Sequence, residues 1–323
     1  MSLWKFFAAS FVVLTCALSQ AAQSQTWPER PVKIIVPFAP GGSADGQARI
    51  VAQRFTEAFG QQFVVENRTG AGGALAVESV ARGTADGYTL LWGVQPQIVI
   101  LPAISKVSYD SVKDLAPISV LGTNPFVLVV NGKLPVTSVA DFVAHVRGQS
   151  AKLGYGSSGV GSIAHLAMAL FLKRAGLDMT AVHYRGNAPA LADVIAGHIP
   201  AMFSSLADAL PHAASGNVRL LAVSGEKRAS QLPNVPAIAE SGYPGFNVVT
   251  WNGLMAPAAT PKAIIDRAAG ELARAVKEPK FAERVTAFGV DPLGNSPAEF
   301  AKLIAAELPL WAEAVEIAGV KSQ

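Results

Sequence analysis

The sequence predicts an α/β protein of two lobes, each with a mainly parallel sheet, and a ligand cleft between the lobes. Short apolar runs alternate with segments of helical periodicity, which is the pattern of a parallel sheet covered by helices. A second set of strands follows the first, and a late apolar run is placed to return to the first sheet. The chain has 323 residues, a length that favours two domains over one.

Three strands and two helices make up the first set. The strands are predicted at residues 32–38, 63–65 and 89–92, and the helices at residues 46–59 and 74–81. The second set is longer. Its strands are predicted at residues 126–130, 153–155, 182–184, 201–203 and 220–223. Its helices are predicted at residues 138–148, 162–175 and 189–196.

The last part of the chain turns back towards the first set. A strand is predicted at residues 246–251, and three helices follow at residues 261–277, 279–288 and 297–318. Each of these helices has a proline near its start, where the missing N–H removes no helical hydrogen bond. These patterns predict chain crossings near residues 124 and 248. Lobe 1 is then formed by residues 26–123 and 249–323, and lobe 2 by residues 124–248.

Residues 1–21 have the layout of a secretory signal peptide. One positive charge, Lys5, precedes an apolar run at residues 6–18, and small residues, Ser19 and Ala21, stand before the cleavage site. A membrane anchor is the alternative, but the run falls short of the roughly 20 apolar residues that a spanning helix needs. We therefore expect export to the periplasm.

The charge and cysteine content argue against several functions. The one cysteine, Cys16, would be removed with the signal peptide, which excludes disulfides and thiolate chemistry in the mature protein. Lys and Arg number 26 against 23 Asp and Glu, without a basic run that would indicate nucleic acid as a partner. The five histidines lack the spacing of a metal site, and no nucleophile–base pair stands out. We expect neither an enzyme nor a bound metal or cofactor.

The loop after the first predicted strand is suited to an anion. Residues 37–45 read PFAPGGSAD, so that Gly42 and Ser43 stand just before a helix. Glycine lets the backbone approach a ligand closely, and a helix N-terminus offers unpaired N–H groups and a partial positive charge. The alternative is an ordinary turn with Ser43 or Asp45 as the helix N-cap. For Asp45 the cap is favoured, because its carboxylate would repel an anion.

A second loop of the same kind precedes the apolar helix at residues 162–175. Residues 154–162 read GYGSSGVGS and offer serine hydroxyls and backbone N–H groups at the carboxyl edge of the second sheet. One such loop on each lobe would form a clamp around an anion. His165, in the first turn of that helix, is placed either to reach the cleft or to make a polar packing contact.

The glycines of this second loop also match the dinucleotide fingerprint G-x-G-x-x-G. The acid that should follow about 20 residues later, Asp178, precedes the next strand instead of ending it, and a lone glycine match is a weak signal. A hydrolase elbow, G-x-S-x-G, does not fit either, because Val160 stands where the last glycine is needed.

Many stretches of the chain resemble the extracytoplasmic receptors of tripartite tricarboxylate transporters, also called Bug receptors. They are residues 27–42, 64–68 with 70–73, 86–91, 155–159 with 161–162 and 165–166, 184–186 with 188–190, 220–223, and 256–257 with 260–261. The resemblance covers essentially the whole chain after the signal peptide, in order.

This resemblance implies a periplasmic-binding-protein-like fold of type II, in which two lobes close around the ligand like a Venus flytrap. It also implies a small carboxylate as ligand and a two-component integral-membrane permease as partner. The ligand contacts that it implies, some through ordered water, are Phe38, Gly42, Ser43, Asp45, Ser157, Ser158, Gly159, Gly161 and Ser162.

Three positions depart from the family pattern. Ser204 follows Met202-Phe203 where relatives often carry aspartate, so an acidic group that could face a ligand amine is missing. His183 replaces a proline, and Gln95 lies where relatives often carry histidine. Gln95, His165 and Ser204 complete the expected ligand site.

We therefore expect a monomeric, non-catalytic receptor that captures a small organic anion and delivers it to a membrane transporter. The alternative is an exported sensing subunit that reports its ligand to a membrane kinase. The sequence leaves open which carboxylate is bound.

Overall fold

The computed structural model describes residues 27–320, so the predicted signal peptide lies outside the described residues. Ten strands within this range form one continuous sheet. They are β1 (Val32–Val36), β2 (Phe63–Asn67), β3 (Thr89–Val94), β4 (Leu115–Asn131), β5 (Gly154–Ser157), β6 (Thr180–His183), β7 (Ala201–Ser205), β8 (Val218–Val223), β9 (Val249–Pro257) and β10 (Asp291–Pro292). The main path runs β2-β1-β3-β9-β4-β7-β5-β6, and β8 and β10 pair with β4.

Helices connect most of these strands. They are α1 (Ser43–Phe59), α2 (Ala74–Ala81), α3 (Leu101–Ile104), α4 (Val139–Arg147), α5 (Ile163–Ala175), α6 (Asn187–Ala196), α7 (Leu206–Ala214), α8 (Lys262–Ala275), α9 (Pro279–Thr286) and α10 (Pro297–Ile317), with shorter helical turns at Ala71–Gly73, Pro96–Ile100 and Ala239–Ser241. None of the helices between residues 27 and 320 is both long and apolar enough to cross a membrane. The predicted alternation of strands and helices is confirmed.

Parallel and antiparallel pairs occupy different parts of the sheet. Strand β1 pairs in parallel with β2 and β3, and β5 pairs in parallel with β6 and β7. In the middle, β4 and β9 pair antiparallel with each other, β3 pairs antiparallel with β9, and β4 pairs antiparallel with β7 and β8. Strand–helix–strand connections produce the parallel pairs, whereas β4 and β9 run through the centre in opposite directions. The mainly parallel arrangement predicted therefore holds for the flanks of the sheet.

Strand β4 is far longer than the predicted strand at residues 126–130. Its first part pairs with β9, from Leu115 to Pro125, and its last part pairs with β7 and β8. Pro117 and Gly122 are untypical of a strand interior, so the sequence pattern does not predict a strand over the first part. The ladder with β9 shifts register beside each of these residues. Gly122 is also required by packing, because a Cβ there would lie 2.4 Å from the carbonyl oxygen of Asp291 in β10.

Other boundaries differ less. Helix α1 begins three residues before the predicted residue 46, since its N-cap is Gly42 and neither Ser43 nor Asp45. The strand predicted at residues 246–251 is displaced to Val249–Pro257. Helix α7 was not predicted, because it is short and contains Pro211. The lobe limits near residues 124 and 248 remain a prediction.

The last helix, α10, packs across the molecule. Its residues contact β4, the turn Pro96–Ile100 and α5. One continuous cluster of buried apolar side chains joins Phe300 and Trp311 of α10 to Trp251 of β9 and to Phe171 of α5. A separate cluster under α1 and α8 includes Phe55. Helix α10 thus shares a core with both sets of strands.

Helices α1 and α8 are joined by a buried ion pair. The Arg54 guanidinium donates to the Glu271 carboxylate at 2.8 Å, and Glu271 is only 1% exposed. Arg54 also reaches Glu278 at 2.6 Å, and Arg274 contacts Glu271 from the same helix. Because the carboxylate is out of water, its cations are needed to offset the loss of hydration.

We expect Arg54→Ala to lower the free energy of unfolding by about 3 kcal/mol, because it leaves the Glu271 carboxylate buried with a weaker set of partners. This value is at the lower end of the range for broken buried ion pairs, because Arg274 still contacts the Glu271 carboxylate in the variant. Urea unfolding monitored by circular dichroism measures it. Lys152→Ala, which removes an exposed pair with Asp178 (2.7 Å), is the matched control and should cost less than about 1 kcal/mol. Equal losses in the two variants would contradict this account.

Candidate functional site

A cavity of about 320 Å³ lies beside the middle of β4 and the start of β9. Its polar lining consists of Ser43, Gln47, Asn124, Ser205, Thr250 and Asn252. Its apolar lining includes Val94, Pro96, Pro125, Phe126, Leu206 and Phe288. None of the described residues that line it carries a charged side chain. The carboxyl ends of β1, β3 and β7 lead into it, which is where open α/β sheets bind ligands.

Two helix N-termini from opposite parts of the sheet face this cavity. Ser43 and Ala44 form the start of α1, and Leu206 and Ala207 form the start of α7. The first N–H groups of a helix have no acceptor within it, and they carry a partial positive charge. The cavity therefore has N–H groups that can donate hydrogen bonds to an anion at two places, and neither place uses a lysine or arginine.

The two helix ends differ in their own acids. The first turn of α1 contains Asp45, which is paired with Arg49 at 2.9 Å. The first turn of α7 contains Asp208, which accepts from Ser205 at 2.7 Å and from Asn187 at 2.7 Å. No salt bridge to Asp208 occurs within residues 27–320. The start of α1 thus keeps more of its positive potential than the start of α7.

Asp45 is the centre of the first loop. Its carboxylate accepts from the Gly41 N–H at 3.0 Å, from Arg49 at 2.9 Å and from Asn67 at 2.9 Å. Asn67 also donates to the carbonyl of Phe38 at 2.9 Å. Burial alone would raise the pKa of Asp45, but the bonds from Arg49, Gly41 and Asn67 outweigh it and lower the pKa to about 2. The ionised carboxylate is therefore turned into its own loop, which it holds in shape.

The glycines of the first loop have distinct backbone conformations. Gly41 has a φ of 87°, which disfavours any side chain, whereas Gly42 has a φ of −78° and forms the extended N-cap of α1. Phe38 is 37% exposed at the start of the loop. Of the two neighbouring glycines of this loop, Gly41 is the one whose backbone conformation requires glycine.

The second loop is held by hydrogen bonds within itself. Ser157 Oγ donates to the Gly159 carbonyl at 2.8 Å and accepts from the Gly159 N–H at 3.2 Å. Ser162 Oγ caps α5 by accepting from the His165 N–H at 3.3 Å. The Gly161 N–H donates to His165 Nδ1 at 3.2 Å. Two of the backbone donors predicted to face a ligand, those of Gly159 and Gly161, are thus already used.

His165 acts on the loop as a neutral acceptor. Because its Nδ1 accepts from Gly161, its proton must lie on Nε2. Burial, together with the neighbouring His183 ring at 4.7 Å, lowers the pKa of His165 to about 4. Among the described residues, none forms a hydrogen bond with the hydroxyl of Ser158, so this hydroxyl is free to donate to a ligand.

The structure brings the predicted site residues together in separate groups. Phe38, Gly42, Ser43 and Asp45 lie on the first loop, but of all the predicted residues only Ser43 lines the 320 Å³ cavity. Ser157, Ser158, Gly159, Gly161, Ser162 and His165 form the second loop. His165 lines a smaller cavity of about 270 Å³ against α10.

Gln95 and Ser204 point away from the cavity, although their neighbours line it. Gln95 is fully buried and donates to Glu307 of α10 at 3.1 Å. Trp251 Nε1 donates to the same carboxylate at 2.9 Å. Ser204 accepts from Asn187 at 2.9 Å. In both places the residue that follows, Pro96 or Ser205, reaches the cavity instead.

Sequence reasoning missed several lining residues. Gln47, Asn124, Phe126, Asn252 and Phe288 all face the cavity. A signal was present for Asn124 and Asn252, since they are polar residues beside the predicted crossings at 124 and 248. Nothing in the sequence pattern distinguished Phe126 or Phe288 from core residues.

A larger groove of about 680 Å³ lies on Thr123 and Val249 and shares Pro125 with the first cavity; it lies next to β10. Its charged lining is mixed: Glu226 and Asp291 stand beside Lys227 and Arg228. The starts of α1 and α7 do not line it. The 320 Å³ cavity is therefore a better candidate for an anion site than this groove.

The fold and this cleft define a solute-binding protein of the two-lobed kind, and comparisons with known proteins identify its family. The chain belongs to the family described as the tripartite tricarboxylate transporter family receptor, whose model matches residues 47–320. The family consists of receptors and not of enzymes. The predicted resemblance and the two-lobed α/β fold are both confirmed.

Individual relatives cover nearly the whole chain. Protein BugT of Bordetella pertussis is 35% identical over 311 residues, which are 96% of this chain and 95% of BugT. The structure of Rhodopseudomonas palustris Rpa4515 with adipate is 35% identical, with a TM-score of 0.73, and the match covers 92% of this chain and 100% of that one. A solute-binding protein of the same family from Polaromonas, with no ligand, is 25% identical, with a TM-score of 0.82 over 90% of this chain and 99% of that one.

Glu307 supplies a pH-dependent test of the core next to the cleft. Burial raises the pKa of Glu307 to about 7, although the bonds from Trp251 and Gln95 act in the opposite direction. The folded state therefore holds a proton that the unfolded chain releases near pH 4.5, and stability falls as the pH rises from about 4.5 to about 7.

We expect Glu307→Gln to remove this loss, because glutamine can still accept from Trp251 but cannot ionise. The variant should be more stable than the wild type at pH 8, by up to about 3 kcal/mol, and similar to it near pH 4.5. Urea midpoints at the two pH values measure the difference. Glu313→Gln, an exposed change on the same helix, should leave both midpoints nearly unchanged. A Glu307→Gln effect of the same size at both pH values would contradict the assignment.

Proposed function

We propose that this protein is a periplasmic receptor that captures a small carboxylate in the 320 Å³ cavity and delivers it to a two-component integral-membrane permease. The observation that carries the proposal is a cavity with two helix N-termini and several polar side chains but no charged lining residue. Such a site stabilises an anion through N–H and O–H donors. Adipate in the Rpa4515 complex supports a carboxylate as the anion.

The lining also restricts the rest of the ligand. An ammonium group would meet no carboxylate there, since Asp208 does not line the cavity and serines occupy positions 204 and 205. Phe126, Leu206 and Phe288 offer apolar walls. A carboxylate with an uncharged, partly apolar body therefore fits better than an amino acid.

Closure of the two lobes is part of the proposal. The chain superposes better on the unliganded Polaromonas receptor than on the adipate complex, although its sequence is closer to the latter. A better superposition on an unliganded receptor than on a liganded one is expected if the lobes of this chain are in an open arrangement. We propose that closure about β4 and β9 brings Ser158 of the second loop towards the ligand held at Ser43, with Gly42, Gly159 and their neighbours forming the rim.

Calorimetry with adipate, hexanoate, benzoate and glutamate tests the ligand class. We expect one or more of the first three to bind and glutamate to bind at least tenfold more weakly. Ser158→Ala should weaken binding about tenfold, because it removes one hydrogen bond to a charged group. Ser215→Ala, whose hydroxyl bonds to the His212 carbonyl at the far end of α7, is the matched control and should leave affinity unchanged. Tight binding of glutamate alone would contradict the proposal.

Small-angle scattering tests closure. A ligand that binds the closed state more tightly shifts the population towards it, so the radius of gyration should fall at saturating ligand. The measurement uses whichever of the three carboxylates binds in calorimetry. An unchanged radius of gyration at full occupancy would argue against a clamp.

A further inference from the structure

We infer that Asn252 and Gln47 form a hydrogen-bond relay that sets the hydroxyl of Ser43 as a donor to the ligand carboxylate, and that both are positioning residues for specificity. This inference rests on the proposed function, because it concerns the same cavity. All three residues line that cavity, and they come from two elements, β9 and α1.

The bonds of the relay run in one direction. Asn252 Nδ2 donates to Gln47 Oε1 at 2.7 Å. A glutamine amide has an acceptor at one end and donors at the other, so its NH₂ group is left to face Ser43. Gln47 Nε2 accordingly donates to Ser43 Oγ at 2.9 Å.

This direction decides what Ser43 offers to the cavity. A hydroxyl has one proton and two lone pairs, and one lone pair is occupied by Gln47. Within the described residues, Ser43 Oγ donates to no acceptor. Its proton is therefore available to a ligand atom that accepts, such as a carboxylate oxygen.

The two amide side chains of the relay are buried, and only Ser43, at its end, is exposed. Gln47 is 1% exposed and Asn252 is 8% exposed, so water does not compete freely for their amide groups. Gln47 lies one turn after Ser43 on α1, which places the two side chains on the same face of the helix. Asn252 is fixed in turn by the sheet, where it pairs with Val94 and Gly122.

The relay also adds to the selectivity of the site. The Ser43 hydroxyl and the free N–H groups at the start of α1 all act as donors towards the same end of the cavity. A carboxylate can accept from all of them, whereas an ammonium group can accept from none. These donors thus favour an acid over an amine at this end of the cavity without using a charged side chain.

A double-mutant cycle with adipate, hexanoate and benzoate as calorimetric probes tests the relay. Ser43→Ala should weaken binding of the carboxylate about tenfold, and Gln47→Met, which keeps the side-chain length, about fivefold. The double variant should bind no more weakly than Ser43→Ala alone, because Gln47 acts only through that hydroxyl. Gln53→Met, an exposed change on the same helix where Gln53 bonds to Glu57, should have no effect.

The outcomes separate the relay from the function on which it rests. Multiplying effects in the double variant, or a Gln47→Met affinity within twofold of the wild type, would overturn the relay while leaving the receptor function intact. Failure of the wild type to bind any of the three probes would count against the proposed ligand class itself. A double variant that matches Ser43→Ala supports the relay, since a general packing defect would add to the loss.

Discussion

Strands β4 and β9 lie side by side from the pair Leu115–Pro257 to the pair Pro125–Val249. The positions of the other strands and of the cavity depend on this antiparallel ladder. The parallel strands of each half attach on either side of it, so their carboxyl ends converge near its Pro125–Val249 end. The cavity is lined there by Asn124 and Thr250, which belong to the ladder itself. The closure that we propose would bend or twist these two strands, which would place the proposed ligand site close to the axis of that movement.

The second feature of the molecule is that the proposed anion site, within the described part of the chain, has no charged side chain in its lining. A lysine in the cavity would need hydration or a partner acid whenever the ligand is absent, and both are costly in a partly buried site. Helix N–H groups and the Ser43 hydroxyl carry smaller partial charges, which remain tolerable in an empty cleft. The first loop contains one acid, Asp45, and its charge is compensated by Arg49. Neither of these two charged side chains lines the cavity.

Sequence patterns predicted the alternation of strands and helices, the two glycine-rich loops and the family. They did not predict the side chains that complete the cavity, for reasons visible in particular residues. The first part of β4 contains Pro117 and Gly122, whose place in the strand depends on bulges and on β10. The serine hydroxyls of the second loop can bond either to a ligand or to their own backbone, and sequence does not distinguish the two. The orientation of Gln95 depends on Glu307, which is 212 positions away in the chain.

The shared core of α10 has a consequence for how the chain can assemble. Strand β9 and helices α8 to α10 come after all the strands that pair only within the second half, yet β9 lies at the centre of the sheet. Trp311 and Phe300 fill a cluster that also contains Phe171 and Leu91. A chain that grows from its N-terminus therefore leaves part of this apolar cluster uncovered until α10 has formed. Assembly of the two halves is completed together, by the segment that arrives last.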